Sequence, residues 1–147
     1  MKALDKNRSI WDKIYSEGKY LQYPNESLVR IIERLFVKPG NKKLLDLGFG
    51  SGNNLLSLCK RGFECYGCAV SPAALDLAKK RLKEIKKTAD LRLQEGKIPN
   101  DNDFFDVVSS WQVIYYNDRK GLEFSIKEIK RVLKKETACS RFKREKT

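Results

Sequence analysis

A chain of 147 residues is about one domain long, enough for a core of its own but short for an open α/β enzyme. It has no histidine, which excludes Ser-His-Asp and Cys-His nucleophilic chemistry and histidine-ligated metal sites within this chain. Its 31 Lys and Arg against 19 Asp and Glu leave a net charge of +12, a balance that attracts nucleic acid and other polyanions.

Asn25 is suited to cap a helix whose Leu28, Ile32, Leu35 and Phe36 recur at i, i+4, i+7 and i+8, with Lys38-Pro-Gly40 as the stop. Lys43-Leu-Leu-Asp-Leu47 reads as a buried strand. A glycine-rich turn follows, then a helix with Leu55, Leu58 and Cys59 on one side, ended by Arg61-Gly62. Phe63 to Ala69 is a second strand. Ser71 as N-cap and Pro72 at the first helical position open a helix with Leu75, Ala78, Leu82 and Ile85 inward. Leu91 to Gln94 is a third strand and Phe105 to Ser110 a fourth, and Leu122, Ile126, Ile129 and Leu133 mark a last amphipathic helix. Alternation of this kind predicts an α/β, Rossmann-like doubly wound sheet, mostly parallel, with ligands at the carboxyl ends of the strands.

No apolar run reaches the ~18 residues of a membrane span, and the first residues lack a signal-peptide core, so a cytoplasmic protein without membrane contact is expected. The four cysteines, Cys59, Cys65, Cys68 and Cys139, form no spaced framework and read as reduced thiols. Cys65 and Cys68 have C-x-x-C spacing, yet on a strand they face opposite ways with Cα atoms about 10 Å apart, so they are packing residues. The basic run from Lys79 to Lys87 reads as a solvated helix face.

The turn after the first strand is Asp46-Leu-Gly-Phe-Gly-Ser-Gly-Asn-Asn54. Its glycines let the backbone approach a ligand, and the helix behind it presents free N–H groups. A dinucleotide fingerprint would place its third glycine where Asn53 stands, which disfavours a nicotinamide dehydrogenase. Leu44-Leu-Asp-Leu-Gly-Phe-Gly-Ser-Gly-Asn-Asn-Leu55 closely resembles the first motif of the class I S-adenosylmethionine-dependent methyltransferases. Trp11-Asp-Lys-Ile-Tyr-Ser-Glu-Gly18 with Tyr23-Pro24, Gly62-Phe63 leading to Tyr66-Gly67, Phe105-Asp-Val-Val108 and Glu128-Ile-Lys-Arg-Val-Leu-Lys134 fall in the order that family shows. The resemblance covers about residues 10 to 135.

The resemblance implies S-adenosyl-L-methionine as cofactor, with Asp46, Gly48, Gly50 and Gly52 around its methionine part and ribose, and Phe49 crowding that loop. Asn53, Ala69 and Val70 complete this set, and Gln94 and Glu95 stand where the family places a polar contact to the adenine amine. Ser110, Trp111 and Gln112 occupy the position facing the methyl group and the acceptor. Tyr15, Tyr20 and Tyr23 resemble an N-terminal lid, within a helical segment 1–40 ahead of a cofactor-binding sheet 41–135. Tyr115, Tyr116, Asp118 and Glu95 are candidate general bases.

Two departures stand out. The second strand of the family normally ends in an acid that binds both ribose hydroxyls, and here that place is taken by Ala69. Glu64, about 16 Å back along the strand and on the other face, cannot replace it. Loss of a charge-assisted pair costs roughly 2 to 4 kcal/mol, so weak cofactor binding is expected. Beyond Lys134 the family continues through a glycine turn into further strands, whereas residues 136–147 read as a basic, disordered tail of a truncated member, leaving the fourth strand as a bare edge. The expected activity is methyl transfer to a small-molecule acceptor, since the Asn-Pro-Pro-Tyr-type motif of base-modifying members is absent from Ser110 to Tyr116. The alternative is an inactive methyltransferase-like protein whose basic surface holds nucleic acid or an acidic partner. No metal is expected, and oligomeric state is not legible.

Overall fold

The computed structural model describes residues 2–135. Two helices lead in, α1 (Lys2–Ser16) and α2 (Glu26–Leu35). Then β1 (Lys43–Leu47), α3 (Asn53–Arg61), β2 (Glu64–Ala69), α4 (Pro72–Glu84), β3 (Asp90–Leu93) and β4 (Val107–Ser109) alternate, and a 3-10 turn (Ile114–Tyr116) precedes α5 (Arg119–Val132). The sheet order is β3-β2-β1-β4 with every pairing parallel. From β1 the chain steps outward through β2 to β3, then returns to the opposite side of β1 for β4. The order therefore reverses between β1 and β4, and a crevice opens at their carboxyl ends.

Local chemistry sets most boundaries. Asn25 Oδ1 accepts the N–H groups of Ser27 and Leu28 at the start of α2. Ser71 Oγ accepts from the Ala74 N–H, and Pro72 follows it in the first turn of α4. Gly62, at φ 106°, closes α3 by donating back to Cys59 and Leu58 carbonyls. α2 stops at Leu35, and Phe36 leaves the helix to meet the Phe63 ring edge-on at 5.4 Å, so Phe36 is buried while Leu35, expected inside, stays half exposed.

Strand alternation divides the interior in two. Leu44, Cys65 and Ala69 face Leu55, Leu58, Ala78 and Leu82 of α3 and α4, together with Leu28, Ile32 and Phe36. Leu45, Leu47 and Cys68 face the other way, onto Ile98, Phe105 and Val132. Cys65 and Cys68 thus lie in different cores, as strand geometry requires.

Three expectations change on the far side of β4. The fourth strand is only three residues long, because Phe105 pairs outward with Leu133 instead of with β1. Lys134 N–H donates to the Phe105 carbonyl, so the start of that edge is covered rather than bare. In α5, Ile126 is exposed and Glu128 buried, reversing the expected stripe. Among the described residues β4 is the last strand on that side, so Ile126 has no sheet to cover. Glu128 instead accepts the Ile98 N–H and pairs with Arg131 at 2.8 Å. Arg131 also donates to the carbonyls of Ile98 and Asn100, stapling the segment between β3 and β4. The tail expected over 136–147 lies outside the described residues.

Candidate functional site

The crevice begins with the turn after β1. Gly48 and Gly50 hold left-handed conformations, φ 75° and 54°, that side chains rarely adopt. A Cβ on Gly48 would collide with Val113, and one on Gly50 with the Tyr15 hydroxyl. Phe49 does not crowd this loop: its ring turns down into the core against Gly67 of β2, where a Cβ would meet it at 2.6 Å. Asp46, near the end of β1, is 2% exposed, and its Oδ2 has no hydrogen-bond partner among the described residues. Burial raises its pKa from 3.8 to about 7.

Across the switch point, Asp46 stands in register with Ser109, on the same sheet face. Ser109 Oγ, Ser110 Oγ and Trp111 Nε1 are likewise buried and without partners among the described residues. Four buried polar atoms without partners among the described residues therefore lie at or just past the carboxyl ends of two neighbouring strands. Each unsatisfied group of this kind costs about 1 to 3 kcal/mol, so such a cluster marks a place shaped for a polar ligand. Gln112 follows at φ 56°, a strained conformation for a side chain, and turns the chain toward Val113.

α1 lies over this end of the sheet. Arg8 Nε donates to the Val70 carbonyl at 3.0 Å, just past β2, and its guanidinium is 4.0 Å from Glu95, just past β3. One turn on, Asp12 Oδ1 accepts from Ser71 Oγ and from the Ala73 N–H, both at 2.8 Å, and these bonds hold its carboxyl below the usual range. Tyr15 reaches the glycine loop, and burial pushes its phenol up. Trp11 stacks on Tyr15 at 5.9 Å and meets Tyr116 edge-on at 5.3 Å, bridging α1 to the segment after β4.

Of the residues expected at a site, Gly48 and Gly50 approach Val113 and Tyr15, and Asp46 stands level with Ser109, with Ser110 and Trp111 next along the chain. Gly52 serves as the N-terminal cap of α3. Asn53 is committed elsewhere: its side-chain oxygen accepts from Arg81 and its amide donates to the Leu21 carbonyl, fastening the segment before α2 to the loop. Ala69 is buried, and Val70 offers only its carbonyl, to Arg8. Gln94 bonds through its backbone to the Ala69 carbonyl and through its amide to Gly96, and Glu95 is exposed. The lid expected over 1–40 divides: α1 covers the crevice, whereas α2 packs into the core. Tyr20 sits behind Tyr15, rings 6.5 Å apart, and Tyr23 points to solvent. Asp118 caps α5 through Gly121. The side chain of Tyr115 is outside the described ones.

Arg8 and Asp12 escaped the sequence reading. Their spacing with Tyr15, i, i+4 and i+7, places all three on one face of a helix, which is the signal that could have found them.

Residues 44–136 match the family described as a methyltransferase domain. A ubiquinone biosynthesis O-methyltransferase of Pelagibacter ubique (strain HTCC1062) is 30% identical over 118 residues, covering 78% of this chain and 48% of that protein. A release factor glutamine methyltransferase of Dictyoglomus turgidum (strain DSM 6724 / Z-1310) is 33% identical over 63 residues, covering 42% of this chain and 22% of that protein. The chain spans about half the length, or less, of these curated relatives. Among solved structures, a TehB-like SAM-dependent methyltransferase from Corynebacterium glutamicum ATCC 13032 superimposes with a TM-score of 0.61 at 24% identity, over 88% of this chain and 66% of that one. At that identity the likeness shows the fold.

Proposed function

We propose, from the premise that this chain belongs to the methyltransferase domain family, that it binds S-adenosyl-L-methionine at the carboxyl ends of β1, β2 and β4 and serves methyl transfer to a small-molecule acceptor. The observation that carries this reading is the cluster of unpaired buried atoms, Asp46 Oδ2, Ser109 Oγ, Ser110 Oγ and Trp111 Nε1. Asp46 is an acceptor suited to an ammonium group, and the serine hydroxyls and the indole N–H are donors suited to a carboxylate. An amino acid moiety supplies both. A cation beside Asp46 would restore its ionised form, because opposite charge offsets the burial that now keeps it neutral.

When bound, the cofactor would supply an electrophilic methyl group on a sulfonium. The chain's own contribution is then alignment and exclusion of water. Holding two reactants in line is worth ~7 to 11 kcal/mol, so no histidine and no metal are required. Tyr15 and Trp11 close the crevice from above, and Ser110 and Trp111 border the acceptor side. Of the candidate bases, Asp118 accepts the Gly121 N–H as the cap of α5, and Glu95 is exposed, 4.0 Å from the Arg8 guanidinium. The lack of an Asn-Pro-Pro-Tyr-type segment between Ser110 and Tyr116 supports a small acceptor over a nucleic acid base.

Ala69 is the weak point of the fit, since no carboxylate stands at the end of β2. Calorimetry with S-adenosylhomocysteine tests both points. Wild type should bind, and Ala69→Asp should bind roughly thirty- to a thousandfold more tightly, the equivalent of ~2 to 4 kcal/mol. Absence of heat from both proteins would overturn the cofactor reading. Ala69 and the net charge of +12 favour the second reading, an inactive binding protein. A salt-dependent gel shift with nucleic acid and no labelling by methyl-tritiated cofactor would establish that instead.

A further inference from the structure

The backbone that a ligand would approach is hinged at both ends. Gly50 and Gly52 hold left-handed conformations, φ 54° and 84°, on either side of Ser51, and glycine turns as readily one way as the other, so the shape of this stretch is set from outside it. The helix behind does not set it. α3 begins its bonding with the Leu56 N–H on the Gly52 carbonyl, one residue later, and leaves the carbonyl of the buried Ser51 to another donor. That donor is Arg81 of α4, whose Nη1 gives hydrogen bonds to the Ser51 carbonyl at 2.7 Å and to the Asn53 side-chain oxygen at 2.6 Å, while Nη2 reaches the Gln22 carbonyl at 3.2 Å. We propose that Arg81 is a positioning residue for the ligand site, a clip that holds the glycine loop in its ligand-ready shape and ties it to the segment leading from α1. The inference rests on the cofactor reading above for the identity of the ligand.

Packing explains how a side chain so far along α4 arrives there. A Cβ on Gly52 would stand 3.3 Å from the Cβ of Ala78, so a glycine facing an alanine lets α3 and α4 meet closely at the loop. Helical side chains lean toward the N-terminus of their helix, which carries Arg81, three residues further on, back over Ala78. Its acceptors are all neutral oxygens, two main-chain carbonyls and one amide, and the bonds are charge-assisted, the stronger kind. The Leu21 carbonyl, next to Gln22, accepts from Ser51 Oγ and from the Asn53 amide. The glycine loop, the segment between α1 and α2, and α4 are thus joined through one guanidinium and the residues it holds.

A loop already in shape spends none of the ligand's binding energy on ordering. Without the clip, Gly50-Ser51-Gly52 samples other conformations and the ligand has to select one of them, a cost that shows as weaker affinity while the fold persists. Arg81 touches no reacting atom and acts only through the loop.

The test is calorimetry with S-adenosylhomocysteine on the full chain, with urea unfolding to establish that each protein is folded in the buffer used. Arg81→Met keeps side-chain length and helix propensity but removes every donor, and it should bind about tenfold or more weakly than wild type. Arg81→Lys keeps the charge without the planar fork and should fall between the two. Glu128→Ala, a destabilising change away from the loop, should bind as wild type does. Hydrogen exchange reads the clip without ligand: in Arg81→Met the Gly52 amide, bonded to the Phe49 carbonyl at 2.8 Å, should exchange about tenfold faster relative to the Leu45 amide in the middle of β1. Equal affinity of wild type and Arg81→Met, a matching loss of affinity in Glu128→Ala, or an unchanged ratio of Gly52 to Leu45 exchange would each overturn the proposal. No heat from wild type would overturn the cofactor reading instead, and the exchange ratio alone would then decide for or against the clip.

Discussion

Replacing Asp46 by asparagine should make this protein more stable and less able to bind its ligand. The carboxyl titrates at about 7 in the fold against an ordinary 3.8, because burial disfavours its charge and nothing among the described residues pairs with Oδ2. That difference corresponds to about 4 kcal/mol. The sign follows from the protons bound. From about pH 4 to about pH 7 the unfolded chain has released this proton while the folded one retains it, so stability falls as pH rises through that window and is flat above it. An asparagine in this place carries no charge at any pH. The Asp46→Asn variant should therefore match wild type near pH 4 and exceed it above pH 7, by up to ~4 kcal/mol and by about half that where the site relaxes or admits water. Urea unfolding followed by tryptophan fluorescence at about pH 4 and about pH 8 measures it. The same variant should lose S-adenosylhomocysteine binding by calorimetry, and wild-type binding near pH 7 should release a proton as the ammonium restores the carboxylate. A stability difference that is the same at both pH values would refute the reasoning.

Two further perturbations probe the supports of the site. Gly67→Ala places a Cβ 2.6 Å from Phe49 and 2.8 Å from Leu91, overpacking that should cost about 1 to 3 kcal/mol by urea unfolding. Adding Phe49→Leu should recover part of the loss, and no recovery would mean that the contact is not the cause. Glu128→Ala strands Arg131 and the Ile98 N–H, a loss of roughly 3 kcal/mol near neutral pH. The Glu128 carboxyl is held below the usual 4.5 chiefly by its hydrogen bond with Arg131. Its contribution is therefore present above that value and lost as pH falls through the folded one. Unfolding curves at acid and neutral pH should show the deficit shrinking in acid.

How much of the fold and the site is legible in the sequence depends on how local the cause is. β1 is legible residue for residue, and the start of α4 follows from Ser71 and Pro72, because strands of this kind and caps are written in adjacent residues. The glycine loop and the crevice beside it follow from element order. What fails is set by distant partners. The α5 stripe misleads at Ile126 because an amphipathic period cannot say how far the sheet extends. Glu128 belongs to a visible motif, but its burial depends on Ile98 and Arg131. Asn53 looks available to a ligand until Arg81 and the Leu21 carbonyl claim it.

The bond from Asp12 to the Ala73 amide makes one helix supply a cap to another. The first turn of α4 is satisfied partly from within, by Ser71, and partly from outside its own segment, by α1. Whenever α1 swings away from the crevice, that amide loses its acceptor and meets solvent. Its hydrogen-exchange rate is then a gauge of how often the covering helix opens, at a residue outside the glycine loop and the segment after β4. Ligand held beneath α1 would slow that exchange, and the slowing would measure how much of the binding energy goes into keeping the helix shut.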